Sequence, residues 1–125
     1  MIYFYIPDFF YHYNVNIKLL DLIKEKPQMF YDDFQIAGIY GNFPNCIWNG
    51  GTYIFGPHIS YLEQKAIAQT FNEKYNVPLI LTMTNPLITD VDCLDRYSNY
   101  ILENLDNGIN QVLITSKNLE HYIRN

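Results

Sequence analysis

The stretch Ser60–Pro86, SYLEQKAIAQTFNEKYNVPLILTMTNP, contains a complete passage from helix to strand. Ser60 and Glu63 stand at the spacing of a capping box, in which the serine oxygen accepts the amide three residues on and the glutamate reaches back. Behind them Leu62, Ala66, Ile67, Thr70 and Phe71 recur at helical spacing, which predicts a helix from Tyr61 to about Tyr75, stopped at Asn76. Then the period changes. Val77–Thr84, VPLILTMT, is uncharged and apolar at consecutive positions and is closed by Asn85-Pro86, the pattern of a buried strand. Strands that read as continuous apolar runs belong to parallel sheets, and helices between them make the crossovers.

Working outward, the same alternation repeats on both sides. Ile2–Ile6 is a first strand ended by Pro7 and Asp8, and Asn16 caps an expected helix from Ile17 to about Lys26, bounded by Pro27. Phe34–Tyr40 reads as the second strand, and Thr52–Phe55 as a brief extra one. After the third strand, Thr89 and Asp92 offer caps for a helix from about Cys93 to Asp106, with Leu94, Ser98, Ile101 and Leu105 on one face and Asn107-Gly108 at its end. Gln111–Thr115 is the fourth strand, and Ser116 or Asn118 starts a last helix. The expected fold class is therefore α/β: four βα units in one domain with a parallel sheet. Two architectures compete. One is half of a (βα)8 TIM-type barrel, whose full length is about 250 residues. The other is a small doubly wound, flavodoxin-like domain.

Composition narrows the function classes. The 125 residues carry a net charge of −5 with no run of Lys or Arg, which argues against nucleic acid and against an anionic membrane surface as partners. No apolar run approaches the roughly 20 residues of a membrane span. The opening MIYFYIPDFFYHY lacks a positive n-region and is broken by Pro7 and Asp8, so it does not read as a secretory signal. Cys46 and Cys93 fit no metal or redox spacing and are expected to be free thiols in a reducing compartment, which suggests the cytoplasm. There is no G-x-G-x-x-G, P-loop, nucleophile elbow or paired-cysteine motif, so no cofactor and no metal are expected.

The series "GIYGNF" and "NGG", a capped helix, "NVPLILTMTN", another helix and "NGINQVLITS" resembles the N-terminal half of the collagenase-like barrel peptidases over about Ile36 to Ile123. The resemblance implies a truncated or divergent (βα)8-barrel relative and, if active, a peptidase-like hydrolase acting on an amide or peptide-type substrate. The chain departs from the family after its first strand, where bulky "PDFFYHY" replaces a small-residue turn. The family's most distinctive signature lies in the half not represented here, so no catalytic residue carries over.

Parallel α/β folds bind ligands at the carboxyl ends of their strands. That rule selects Asp8 and His12 as a candidate acid/base pair, the carboxylate holding the imidazole in one tautomer. Cys46 is a candidate nucleophile if a neighbouring base lowers its pKa. Asn42, Trp48 and Asn49 are candidate substrate contacts from the uncharged loop GNFPNCIWNGG; Trp48 reads equally as a wall of a pocket and as a plug for the end of the sheet. Asn85 and Ser116 read as substrate contacts or as helix-entry caps. An incomplete barrel would expose an edge strand and an apolar face. The alternative to an enzyme is thus a non-catalytic interaction module that pairs with a copy of itself or with a completing partner, a role the many tyrosines suit.

Overall fold

A computed structural model of the chain describes residues 1–50 and 56–125. The extra strand expected at Thr52–Phe55 lies outside the described residues. Among the described residues, four strands alternate with four helices: β1 (Ile2–Pro7), α1 (Tyr13–Glu25), β2 (Phe34–Gly41), α2 (Tyr61–Gln69), β3 (Leu79–Met83), α3 (Arg96–Leu105), β4 (Gln111–Ile114) and α4 (Lys117–Arg124). All strand pairs are parallel and the sheet order is β1-β2-β3-β4. This order never reverses. The doubly wound alternative needs such a reversal at its switch point, so that arrangement is corrected here.

Local chemistry sets the helix boundaries. Ser60 caps α2 by accepting the Glu63 amide at 3.2 Å, and the helix widens into a π-turn at Thr70–Lys74 before β3. Ser116, rather than Asn118, caps α4 by accepting the Leu119 amide. Two expectations are corrected. Asn16 does not cap α1, which begins a turn earlier at Tyr13; its buried amide instead donates to the carbonyls of Pro7 (3.1 Å) and Asp8 (2.9 Å) and ties the helix to the end of β1. Thr89 and Asp92 bond to each other in the turn that leads into a short 3-10 segment at Asp92–Leu94, and α3 is capped by Asp95, which accepts the Ser98 amide at 3.0 Å. Leu94 consequently falls outside the helix and is exposed.

The core lies on one side of the sheet. Ile36, Ile39, Leu79, Leu81 and Met83 form a single cluster with residues of all four helices, among them Leu20, Ala68, Ile101, Leu105 and Leu119. Strand residues alternate between faces, so the partners in register place Tyr3, Tyr5, Gln35, Tyr40, Ile80, Thr82, Gln111 and Leu113 on the opposite face. Among the described residues no helix covers that face: Tyr5 is 58% exposed and Leu113 51%, while Ile80 between them is buried. Ala37 bulges out of the β1–β2 register, and Gly38 then lies beneath the Tyr5 ring, where a Cβ would meet Tyr5 at 3.4 Å and Ile80 at 2.9 Å.

A network of asparagines holds the amino ends of β3 and β4 together. Asn110 accepts the Leu79 amide at 2.8 Å, and Asn72 donates to both the Val77 carbonyl and Asn110. Asn107 donates to Asn72 from the turn where Gly108 takes φ +79°, a conformation glycine adopts without steric cost.

Candidate functional site

The expected site residues separate into two groups at the carboxyl end of the sheet. The first is the Asp8–His12 pair. Asp8 leaves β1 with φ 64°, and its carboxylate accepts the amides of Tyr11 (2.9 Å) and Phe10 (3.3 Å), which turns the chain into α1. The same carboxylate stands 3.6 Å from His12 Nδ1, and the imidazole is exposed. An exposed imidazole next to a carboxylate can accept and return a proton, the chemistry of a general base.

The second group is the loop after β2, and here the residues turn inward. Asn42 is buried; its amide donates to the Thr82 carbonyl at 3.1 Å and its oxygen accepts the Phe43 amide at 2.8 Å. Phe43 meets Phe9 edge-on at 5.2 Å, so the loop seals the top of the core. Trp48 is 0% exposed, its indole N–H donating to the Asp92 carbonyl at 2.8 Å and its ring packing on Tyr122. Of its two readings the plug is the one observed. Asn49 accepts the Thr82 hydroxyl at 2.8 Å. Asn85 donates its backbone amide to the Trp48 carbonyl at 3.0 Å and its side-chain amide to the Ile47 carbonyl at 2.9 Å, and its side-chain oxygen accepts the Leu87 amide. Asn42, Trp48, Asn49 and Asn85 therefore come together, but as a knit between β2 and β3. Ser116 sits apart at the top of β4, in its capping role.

Cys46 is buried in this knit. Its thiol lies 3.4 Å from the Ser98 hydroxyl, which in turn donates to Asp95 at 2.6 Å, and 3.8 Å from the Met83 sulfur. Burial pushes the thiol's pKa up, outweighing the hydrogen bonds from Ser98, Trp48, Asn42 and Asn49 that favour the thiolate. A protonated, enclosed thiol whose side-chain neighbours include no base lacks what a nucleophile requires. Cys93 is likewise a buried free cysteine with its pKa raised by burial first and by Asp90 and Asp92 second.

Among the described residues, no group of three or more His, Cys, Asp or Glu is placed to hold a metal ion, and no helix is long and apolar enough to cross a membrane. Two clefts of about 340 Å³ lie at the amino end of the sheet, one walled by Leu81, Leu105, Val112 and Ile123, the other by Leu20, Ile23, Phe34 and Tyr75. Neither touches the residues expected to form the site. The sequence reading expected an uncovered apolar face of an incomplete barrel but did not name its residues, which are Tyr3, Tyr5, Tyr40, Thr82 and Leu113 around a buried Ile80. Its signal was present, since these positions alternate with core residues in strands that otherwise read as uniformly apolar. No protein-family model, curated protein or solved structure matches this chain.

Proposed function

We propose that this chain is a protein-interaction module, a half-barrel of four βα units that works by covering its bare sheet face against a partner. One observation carries the reading. Among the described residues, the face formed by Tyr3, Tyr5, Gln35, Tyr40, Ile80, Thr82, Gln111 and Leu113 bears no charge and has no helix over it, and β1 and β4, the strands that bound it, each pair with a single neighbour. Contiguous apolar surface of this kind marks an interaction site, and tyrosine-rich surfaces are favoured there. Two buried free cysteines fit a reducing compartment and support a cytoplasmic setting. The test separates sizes in an extract of cells expressing the tagged chain. Wild type should run in a complex, Tyr5→Lys as a monomer, and Leu62→Lys, which charges an exposed site on α2, like wild type. A monomeric wild type at all extract concentrations overturns the proposal.

A second reading is supported by the Asp8–His12 pair and by the resemblance to barrel peptidases: hydrolysis of an amide bond, with His12 as general base and Asp8 orienting it. Cleavage of a peptide library by the wild type and its loss in His12→Ala, at unchanged thermal stability, would support it. No cleavage by the wild type would remove it.

A further inference from the structure

We propose that the partner is a second copy of this chain, and that two copies close an eight-stranded parallel barrel through two β4–β1 seams. This inference rests on the interaction reading above and names its occupant.

The edges fit one another. Among the described residues β1 pairs only with β2 and β4 only with β3, and the four strands run parallel in sequential order. A two-fold axis along the strand direction sets β4 of each copy beside β1 of the other, in the parallel sense, and the operation consumes both free edges at once. Eight parallel strands is the number at which such a sheet closes around a packed interior. Closure, unlike addition of a single strand, leaves no edge for a third copy.

The chemistry of the edges agrees. Ile2 donates its amide to Asp33 and Asp8 donates to Tyr40, so the even residues of β1 face β2, and by alternation the amides of Tyr3 and Tyr5 face the free side. Neither Ile2–Pro7 nor Gln111–Ile114 contains a charged residue, and an edge meant to stay unpaired is normally guarded by one. Pro7, without an amide proton, ends the seam at its upper rim.

The inner face has the composition of a barrel interior. Tyr40, Ile80 and Gln111 stand in one row across three strands, with Thr82 beside Leu113 above them. Large and small residues are matched, the Tyr5 ring lying over Gly38. Barrel interiors are filled by such side-chain layers, and here one copy supplies half of each.

A separate patch points to the same occupant. On the helix side of β1, Ile2 is 48% exposed and Phe4 47%, although their neighbours in register, Phe34 and Ile36, are half-buried and buried. In a βα barrel that flank is covered by the helix that follows the preceding strand. In the closed dimer this helix is the second copy's α4, the helix beyond β4. An arbitrary partner that covered only the inner face would leave this patch wet. Together the two seams, the interior and this flank involve on the order of 20 residues per copy, the size of a stable interface.

The test is the mass of the purified full chain by sedimentation, with hydrogen exchange at Tyr3 and Tyr5. The expected mass is twice 14.8 kDa, with both amides protected in the dimer and exchanging freely on dilution. Leu113→Lys, at a site already half-exposed in the single copy, should raise the dimer Kd about tenfold or more without unfolding the chain. An open-ended ladder of masses, or a dimer whose Tyr3 and Tyr5 amides exchange freely, overturns the closed barrel. A purified monomer that still enters a complex in extract overturns the second copy and leaves the interaction reading standing. A monomer in both settings removes the two together.

Discussion

The indole N–H of Trp48 donates a 2.8 Å hydrogen bond to the backbone carbonyl of Asp92, joining the loop after β2 to the 3-10 turn that precedes α3. The single tryptophan is thus a clamp across the top of the core. Trp48→Phe keeps most of the apolar bulk but removes one of the two donors to the Asp92 carbonyl, which retains the Asp95 amide, at a cost of about 0.5–1.5 kcal/mol. Trp48→Ala also opens a cavity, and about 3–5 kcal/mol should be lost. Urea unfolding followed by far-UV circular dichroism gives both values.

Gly50 is required for a different reason. A Cβ there would stand 2.3 Å from the Thr84 carbonyl oxygen and 2.5 Å from its carbon, both backbone atoms that have no rotamer to yield. Gly50→Ala should therefore destabilise the chain by about 1–3 kcal/mol, as overpacking does, and lower the melting temperature in calorimetry. Gly38→Ala, which presses mainly on the mobile tip of Ile80, should cost less.

Asn110 satisfies groups on three segments: it accepts the Leu79 amide and donates to Asn72 and to the Leu105 carbonyl. Asn110→Ala leaves the Leu79 amide at the start of β3 without its acceptor, with an expected loss of about 1–3 kcal/mol. Hydrogen exchange at Leu79 should accelerate more than exchange at Leu119, which lies away from the network.

Thiol chemistry should follow burial. Cys46 has its pKa raised in the folded state, so the unfolded chain gives up this proton first as pH rises. The stabilising contribution is complete below the ordinary thiol range of about 8.5 and is lost as pH climbs toward the folded value. Tyr75 adds to the same trend: its hydrogen bond to Asp21, then burial and the Asp21 charge, push its phenol to about 12. Stability measured by denaturant unfolding should thus fall above pH 9, and Cys46 should react with a thiol reagent at neutral pH only on unfolding. Rapid labelling of Cys46 in the folded chain would show that the loop opens.

The extent to which the sequence disclosed this structure can be judged residue by residue. The order of strands and helices was legible because uncharged runs such as VPLILTMT differ in period from the helices between them. The Ser60 cap was legible because a cap is a local hydrogen bond, and for α4 the choice was narrowed to Ser116 or Asn118. The start of α1 was not, because His12 precedes it without any side-chain cap while Asn16, a good capping residue, is used elsewhere. The start of α3 was obscured by two acceptors, Asp92 and Asp95, each spaced to close a turn. In the site, Asp8 and His12 could be named as a pair, but a spacing of four in a loop guarantees no contact; their approach depends on the φ of 64° at Asp8 and the turn its carboxylate closes. The fate of Trp48 depends on a carbonyl 44 positions away, which no local pattern encodes. An uncovered face was expected of an incomplete barrel, but its residues could not be named, because tyrosine and leucine count alike in an apolar run, whereas only packing tells which side a helix covers.

The asparagine network at the foot of β3 and β4 also bears on chemical ageing. Asn107 precedes Gly108, the pairing in which a backbone nitrogen most easily attacks a side-chain amide and releases ammonia. Here that side chain is held by its donation to Asn72 and by the amides of Ile109 and Asn110 at its oxygen. The bonds that join the strands also keep the reactive carbon from swinging into line, so the rate at which Asn107 deamidates becomes a clock for how often this corner of the molecule comes apart.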